Sequence, residues 1–215
     1  MTSTSLVVER EREAATKPFR SVLDEMISGF IFIAGPTCSG KTTFSHTLEN
    51  YFWDKHYSVN IIREDDYFKD LKNMPRSRKG YMTDSMDAFH TDEMKEDVKS
   101  YIKNGRVEIP IYDVAKNKRI VSKQYIIKAN VTIIEGLHVI SLFHGKIDGI
   151  FIYMDTPIDV CLERRLKRDT MLYHIPRARI EEHFKDCIMP SYEKEILPQS
   201  KKHGVILHSS WRRCG

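Results

Sequence analysis

The chain holds 215 residues, of which 41% are hydrophobic and 30% charged. That length and balance exclude a disordered or collagen-like chain and allow one domain with a sizeable core. The net charge of +4, with nine His counted as neutral, is too mild for a dedicated nucleic-acid binder and suits a protein that handles anionic ligands.

Residues 1–28 read as an N-terminal extension with a short helix over "SVLDEMI". Its opening stretch carries acidic residues and lacks an apolar segment, so no signal peptide is expected, and no apolar run in the chain is long enough to span a bilayer. "FIFIAG" (30–35) is an unbroken apolar run ending in glycine, as a strand buried on both faces requires. "GKTTFSHTLENYFWDK" follows with Phe44, Leu48 and Phe52 at helical spacing. "YSVNIIRED" is a second strand running into acid. From Asp66 to about Thr91 the chain is polar, with Pro75, Gly80 and a basic "PRSRKG" segment, which predicts a mobile, solvated loop. "TDEMKEDVKSYIKNG" opens on Thr91 as an N-cap candidate and ends in Asn-Gly, a helix signature.

Residues 106–129 alternate apolar and polar positions around a polar middle, predicting a hairpin excursion. "NVTIIEGLHVI" is a third buried strand leading into a helix, and "DGIFIYMDT" a fourth strand. "PIDVCLERRLKRDT" is a helix opened by Pro157. The stretch that follows is mostly helical, with Pro190 marking a break, and "GVILHSS" is a last strand. Residues 29–215 thus read as one domain carrying a lid at about 169–182. Alternating strands and helices predict a mostly parallel sheet covered on both faces, with ligands at the carboxyl ends of its strands.

Those ends hold the chemistry. "GPTCSGKT", Gly35 to Thr42, fits G-x-x-x-x-G-K-[ST] with the required strand before and helix after. The expected fold is therefore the P-loop NTPase α/β/α sandwich. Gly35 and Gly40 let the backbone curl, so that Thr37, Cys38, Ser39, Gly40 and the first helical residues Lys41, Thr42 and Thr43 face phosphates at a positive helix N-terminus. Lys41 is placed to neutralise the β and γ phosphates, and the Thr42 hydroxyl to ligate Mg²⁺. Cys38 is a candidate oxidation-sensitive thiol. The four Cys, at 38, 161, 187 and 214, are scattered without a Cys-x-x-Cys pair, which suggests reduced thiols in a cytoplasm.

In "REDDYF" Asp65 suits a base for an acceptor hydroxyl or a metal contact, and Tyr67 and Phe68 are acceptor-side candidates. Glu135 ends a buried β-branched run, where a carboxylate can hold Mg²⁺ or its water shell, and Gly136 allows close approach. Arg164, Arg165, Arg168, Arg177 and Arg179 form a basic set whose planar forks suit phosphate, on a lid that would spread charge and keep water out. Tyr112, Asn117 and Arg119 line an acceptor pocket or form a polar hairpin tip.

Taken together, the chain resembles the uridine kinase family within the phosphoribulokinase and uridine kinase group. The parts that match, in the family's order, are "GPTCSGKTT", "EDDYFK", "SMDAFH", "VEIPIYDVAKNKR", "IIEGL", "MDTPIDVCLERRLKRD" and "IMPSYEKEILPQSKKHGVIL". The resemblance implies ATP- and Mg²⁺-dependent phosphorylation of a ribonucleoside 5′-hydroxyl in cytoplasmic pyrimidine salvage, no nucleic-acid or membrane partner, and a homo-oligomer. It makes Asp65 the catalytic base, assigns Asp87 to the ribose hydroxyls and Tyr112 to the nucleoside pocket, and puts Arg165 and Arg168 in the phosphate-side helix.

Departures bear on the acceptor. Asn117 stands where the family has a pyrimidine-reading His, and Ser85-Met86 replace His-Pro. The family's Arg-Gly-Arg lid motif falls on Tyr173 to Ile175, two residues before Arg177. Nicotinamide riboside kinase is the nearest alternative, sharing "DDYF" and "IIEG". The loop also resembles that of tRNA isopentenyl transferases, whose following Asp-Ser-x-Gln-x-Tyr is absent. An NTP-binding switch would need neither an acid base nor an acceptor pocket, against which Asp65, Asp87 and Tyr112 argue.

Overall fold

The computed structural model describes residues 23–24, 28–201 and 205–208. Strand β1 (Gly29–Ala34) turns through the glycine loop into α1 (Lys41–Trp53). Strand β2 (Val59–Arg63) runs straight into a one-turn 3-10 helix, Glu64–Tyr67. Further 3-10 turns at Leu71–Asn73 and Met86–Ala88 flank a minimal hairpin of β3 (Arg76–Ser77) and β4 (Gly80–Tyr81). Helix α2 (Thr91–Asn104) leads to β5 (Arg106–Ile109), β6 (Tyr112–Asp113), β7 (Lys118–Arg119) and β8 (Gln124–Ile127). Then come β9 (Val131–Glu135), α3 (Val139–Phe143), β10 (Ile150–Asp155) and α4 (Ile158–Tyr173). Helix α5 (Arg177–His183) opens an irregular helical stretch that runs through α6 (Met189–Ser191) to Lys201, before β11 (Val205–His208).

The central sheet has five strands in the order β11-β10-β1-β9-β2, and each neighbouring pair is parallel. Burial on two faces explains the unbroken apolar runs. In β1, Ile31 and Ile33 pack with Leu48 and Phe52 of α1 on one side. Phe32 and Ala34 face the other side, with Val98 and Tyr101 of α2 and Phe143 of α3. The Phe32 ring stacks on Phe151 at 4.5 Å between centroids. Every residue of β9 is buried, as expected of a strand with a neighbour on each side in such a sheet. No helix among the described residues is long and apolar enough to cross a membrane.

The excursion is a two-stage hairpin, β5 against β8 and β6 against β7, both antiparallel. Helix α2 begins at Thr91 itself, with His90 at the N-cap, and ends on Gly105 at φ 69°. Near Pro190 the helical stretch widens into π turns, Phe184–Ile188 and Tyr192–Ile196. Proline has no N–H to offer the preceding turn, and the wider register accommodates that gap.

Residues 66–91 correct an expectation. The polar composition there predicts a mobile loop, but the segment folds into short turns that dock on their surroundings. Phe68 bridges Phe89, Lys69 N–H donates to the Ala88 carbonyl and His90 N–H to the Tyr67 carbonyl. The basic hairpin lies against α5 and the turn after it: His183 Nε2 sits 2.8 Å from the Tyr81 carbonyl oxygen, and Ser77 Oγ 3.5 Å from Cys187 Sγ. Of the helix expected over "SVLDEMI", Leu23 and Asp24 are helical; its other residues, and Cys214, lie outside the described residues.

Candidate active site

The phosphate loop keeps its shape through backbone constraints. Gly35 has φ +148°, and a Cβ there would lie 2.8 Å from the Met154 carbonyl oxygen. Gly40 caps α1 at φ 102°, and Cys38 takes φ 56°. Lys41 Nζ donates to the carbonyls of Gly35 (3.0 Å) and Pro36 (2.9 Å), so its ammonium arches across the loop. The Ser39 carbonyl accepts from Thr156 Oγ1 at 3.0 Å and from Arg164 Nη1 at 3.1 Å, and Arg164 Nη1 also reaches the Cys38 carbonyl at 3.3 Å. Arg164 therefore braces the loop from α4. Thr43 is exposed on the first turn of α1.

Three acids in a row leave the end of β2 in three directions. Glu64 is fully buried and turns back to His138, at the turn after β9. Asp66 accepts from Arg63 Nε at 3.1 Å and from the Tyr112 backbone N–H at 3.3 Å, tying this turn to the excursion hairpin. Asp65 lies within electrostatic reach of Lys41 on the phosphate loop. Desolvation in the cleft, then the Glu135 charge, push its carboxyl up to about 7, with smaller contributions from Glu64 and Asp84; Lys41 works in the opposite sense. By surface area the residue is exposed, so the cleft is crowded around the carboxyl yet open to water. Exposure to water moderates the desolvation, and the neighbouring acids impose the same upward direction.

Glu135 is 5% exposed and accepts from Thr42 Oγ1 at 2.9 Å, which joins the end of β9 to the first turn of α1. The neighbouring Gly136 does allow close approach, but of protein: a Cβ there would lie 2.2 Å from Glu64 Oε2. Arg165 is 12% exposed and central. Its Nη1 reaches Thr37 Oγ1 at 3.4 Å and lies 3.7 Å from Asp84 Oδ1, while its Nε pairs with Asp169 at 3.3 Å. Arg168 holds the other Asp169 oxygen at 2.7 Å.

The acceptor side differs from expectation at several residues. Asp84, which the motif reading passed over, is 4% exposed, and its Oδ2 has no partner among the described residues. Asp87 is exposed, its backbone carbonyl accepting from Lys69 Nζ at 2.8 Å. Tyr67 does not line a pocket: it is fully buried and donates to Asp97 at 3.0 Å, which makes it core. Phe68 stacks on Phe89 at 4.2 Å and tilts against Tyr112 at 5.3 Å. The Tyr112 hydroxyl is buried without a partner among the described residues, and burial together with Asp70 pushes it up to about 12.

Asn117 sits exposed in the β6–β7 turn at φ 50°, with its carbonyl accepting from Leu71 N–H at 3.1 Å. Arg119 Nη1 pairs with Glu93 at 2.8 Å, while its Nε and Nη2 are buried without partners among the described residues. The structure does not gather the two lid arginines. Arg177 and Arg179 are exposed on α5, and Arg177 holds Glu181 at 2.9 Å.

A parallel sheet with a glycine loop feeding a helix, a lysine across that loop and acids at the adjacent strand ends defines a P-loop kinase. The sequence profile of the Phosphoribulokinase / Uridine kinase family matches residues 30–212, and the chain belongs to that family. It is 28% identical over 191 residues to a uridine kinase from Chlamydia pneumoniae, covering 87% of this chain and 85% of that one. A Schizosaccharomyces pombe uridine kinase is 30% identical over 83% of this chain and 40% of its own length. Among solved structures, a "possible uridine kinase" from Bacillus stearothermophilus shares the fold at TM-score 0.63 and 15% identity, covering 87% of this chain and 94% of that one. A D-glycerate 3-kinase from Cryptococcus neoformans shares it at TM-score 0.54 and 15% identity, over 81% and 84%.

Proposed function

We propose that the chain transfers the γ-phosphoryl group of ATP to the 5′-hydroxyl of a nucleoside. The observation that carries this reading is the setting of Asp65, whose carboxyl feels the charges of Glu135, Lys41 and Asp84, where Lys41 spans the phosphate loop and Glu135 is tied to its helix through Thr42. Asp65 takes the hydroxyl proton as the oxygen bonds to the γ phosphorus. The bond from that phosphorus to the bridging oxygen breaks, and ADP leaves. A carboxyl raised toward neutrality holds that proton better than an ordinary aspartate does. Lys41 neutralises the phosphate chain, and Arg165 and Arg168, on the α4 side of the loop, spread the transferring charge.

Asp84 is the better supported ribose contact, since it is buried, close to Asp65 and has an oxygen to offer, whereas Asp87 is exposed. Phe68, Phe89 and Tyr112 supply an aromatic wall suited to a base. The donors Thr42, Glu135 and Asp65 are hard oxygens that fit Mg²⁺. Among the described residues no group of three or more His, Cys, Asp or Glu forms a metal cage; a Mg²⁺ ion held by one or two carboxylates would take the rest of its shell from water and substrate phosphates. When bound, that ion neutralises charge between the β and γ phosphates.

The test is ADP release with ribonucleosides, deoxyribonucleosides, nicotinamide riboside and pantothenate as acceptors. Uridine or cytidine should stimulate release well above the rate with ATP alone. ATP hydrolysis indifferent to every acceptor would identify a switch instead, and stimulation by pantothenate alone would move the acceptor outside nucleosides.

A further inference from the structure

His138 lies at the turn after Glu135, and its side chain is fully buried, as is that of Glu64. Its Nδ1 is 3.0 Å from Glu64 Oε1, and its backbone N–H donates to Glu64 Oε2 at 2.9 Å. Its Nε2 is 3.6 Å from Glu195 Oε2, near enough for attraction between charges and too long for a hydrogen bond. The same Glu195 oxygen accepts from the Met86 backbone N–H at 2.6 Å. Burial opposes a charged ring, but the Glu64 and Glu195 carboxylates outweigh it and raise His138 to about 9. The phosphate loop does not touch this cluster through any of these bonds, and the phosphoryl-transfer chemistry above does not use it.

Stability is a weak reason to keep such a group. A buried ion pair costs desolvation of both charges, and apolar residues of similar volume often serve a core as well or better. The positions of the partners are more informative. Glu64 directly precedes Asp65 in one 3-10 turn. Glu195 grips the first residue of the Met86–Ala88 turn, two positions after Asp84. Histidine bridges the two because its ring presents nitrogens on opposite sides.

We propose that His138 is a positioning residue that sets the two sides of the cleft against each other: through Glu64 it fixes the turn carrying Asp65, and through Glu195 the turn next to Asp84. Its catalytic consequence rests on the kinase reading; the mechanical coupling does not. His138→Asn keeps an amide nitrogen near the place of Nδ1 and loses reach toward Glu195. His138→Gln extends toward Glu195 and gives up the Nδ1 contact.

The experiment pairs amide hydrogen exchange with steady-state kinetics on the full chain. His138→Gln should speed exchange at residues 64–68 more than at 84–90, and His138→Asn the reverse. In turnover, His138→Gln should lower kcat on the order of tenfold with acceptor KM little changed, because small displacements of a reacting group are costly. His138→Asn should instead raise acceptor KM by a similar factor with kcat nearly kept. Equal effects of both variants on kcat and KM, an even rise in exchange along the chain, or no change at all would overturn the proposal. If the unaltered protein phosphorylates no acceptor while the two exchange patterns still separate, the kinase reading falls and the coupling stands. Should either histidine variant not fold, Glu64→Gln and Glu195→Gln, each removing the charge of one arm, carry the same comparison.

Discussion

Thr42 and Glu135 are hydrogen-bonded at 2.9 Å across 93 positions of sequence. The bond fastens the first turn of the loop helix to the end of the most buried strand, so two hard oxygens that could hold a metal ion keep one another in place. Glu135→Gln keeps an oxygen for the Thr42 hydroxyl and removes the charge. Folding and thermal stability should be preserved, while kcat falls on the order of a hundredfold, the scale seen when one preorganised electrostatic group is lost. Kinetics across a Mg²⁺ titration check this; full activity at ordinary Mg²⁺ would remove Glu135 from the site.

Asp84 and Asp87 separate two accounts of the acceptor loop. Asp84→Asn should raise acceptor KM on the order of tenfold, as the loss of a charge-assisted hydrogen bond would. Asp87→Asn should leave both constants near those of the unaltered protein. Measuring KM for the best nucleoside decides between them, and the opposite pattern would return the ribose contact to Asp87.

Asn117 takes a left-handed backbone that glycine adopts more easily and β-branched residues resist. Asn117→Gly should leave nucleoside KM unchanged and thermal stability within about 0.5 kcal/mol. Asn117→Val should lower stability by about 1–2 kcal/mol through backbone strain. A large rise in pyrimidine KM for Asn117→Gly would show instead that the side chain reads the base.

The buried histidine gives stability a definite pH dependence. His138 is raised from the ordinary 6.5 to about 9 by Glu64 and Glu195, so the folded protein holds this proton more tightly than the unfolded chain does. The stabilisation is complete below about 6.5 and is lost as pH rises through about 9. Thermal unfolding between those values should show a falling limb that His138→Gln lacks. An identical limb in both proteins would assign it to other groups.

Much of this was readable from residue pattern. The strands announce themselves as apolar runs because both faces of a parallel sheet are covered, and the phosphate loop follows from two glycines and a lysine in strict spacing. The acid turn was half legible. That an acid would face the cleft follows from its place at a strand end; which way each of Glu64, Asp65, Asp66 and Tyr67 points depends on a single 3-10 turn, whose phase no periodicity reveals. Tyr67 was misplaced for that reason. Asp84 lay outside the matching motif, and nothing local separates it from an ordinary loop acid. The Glu64–His138 contact spans 74 positions, and only the assembled sheet brings the ends of β2 and β9 together.

The small basic hairpin carries a consequence for how this chain can vary. A side chain at Gly80 would meet His183 Cδ2 at 3.3 Å and Cys187 Sγ at 3.4 Å, and Lys79 reaches toward both Glu182 and Asp186. Position 80 is thus not free to drift alone. A larger residue at 80 would meet both His183 and Cys187 and need a backbone at φ +154° that side chains rarely adopt, so a smaller residue at 183 or 187 would relieve only part of the cost. Strap and anchor lie 102 positions apart in sequence, so a change at one end is felt at the other.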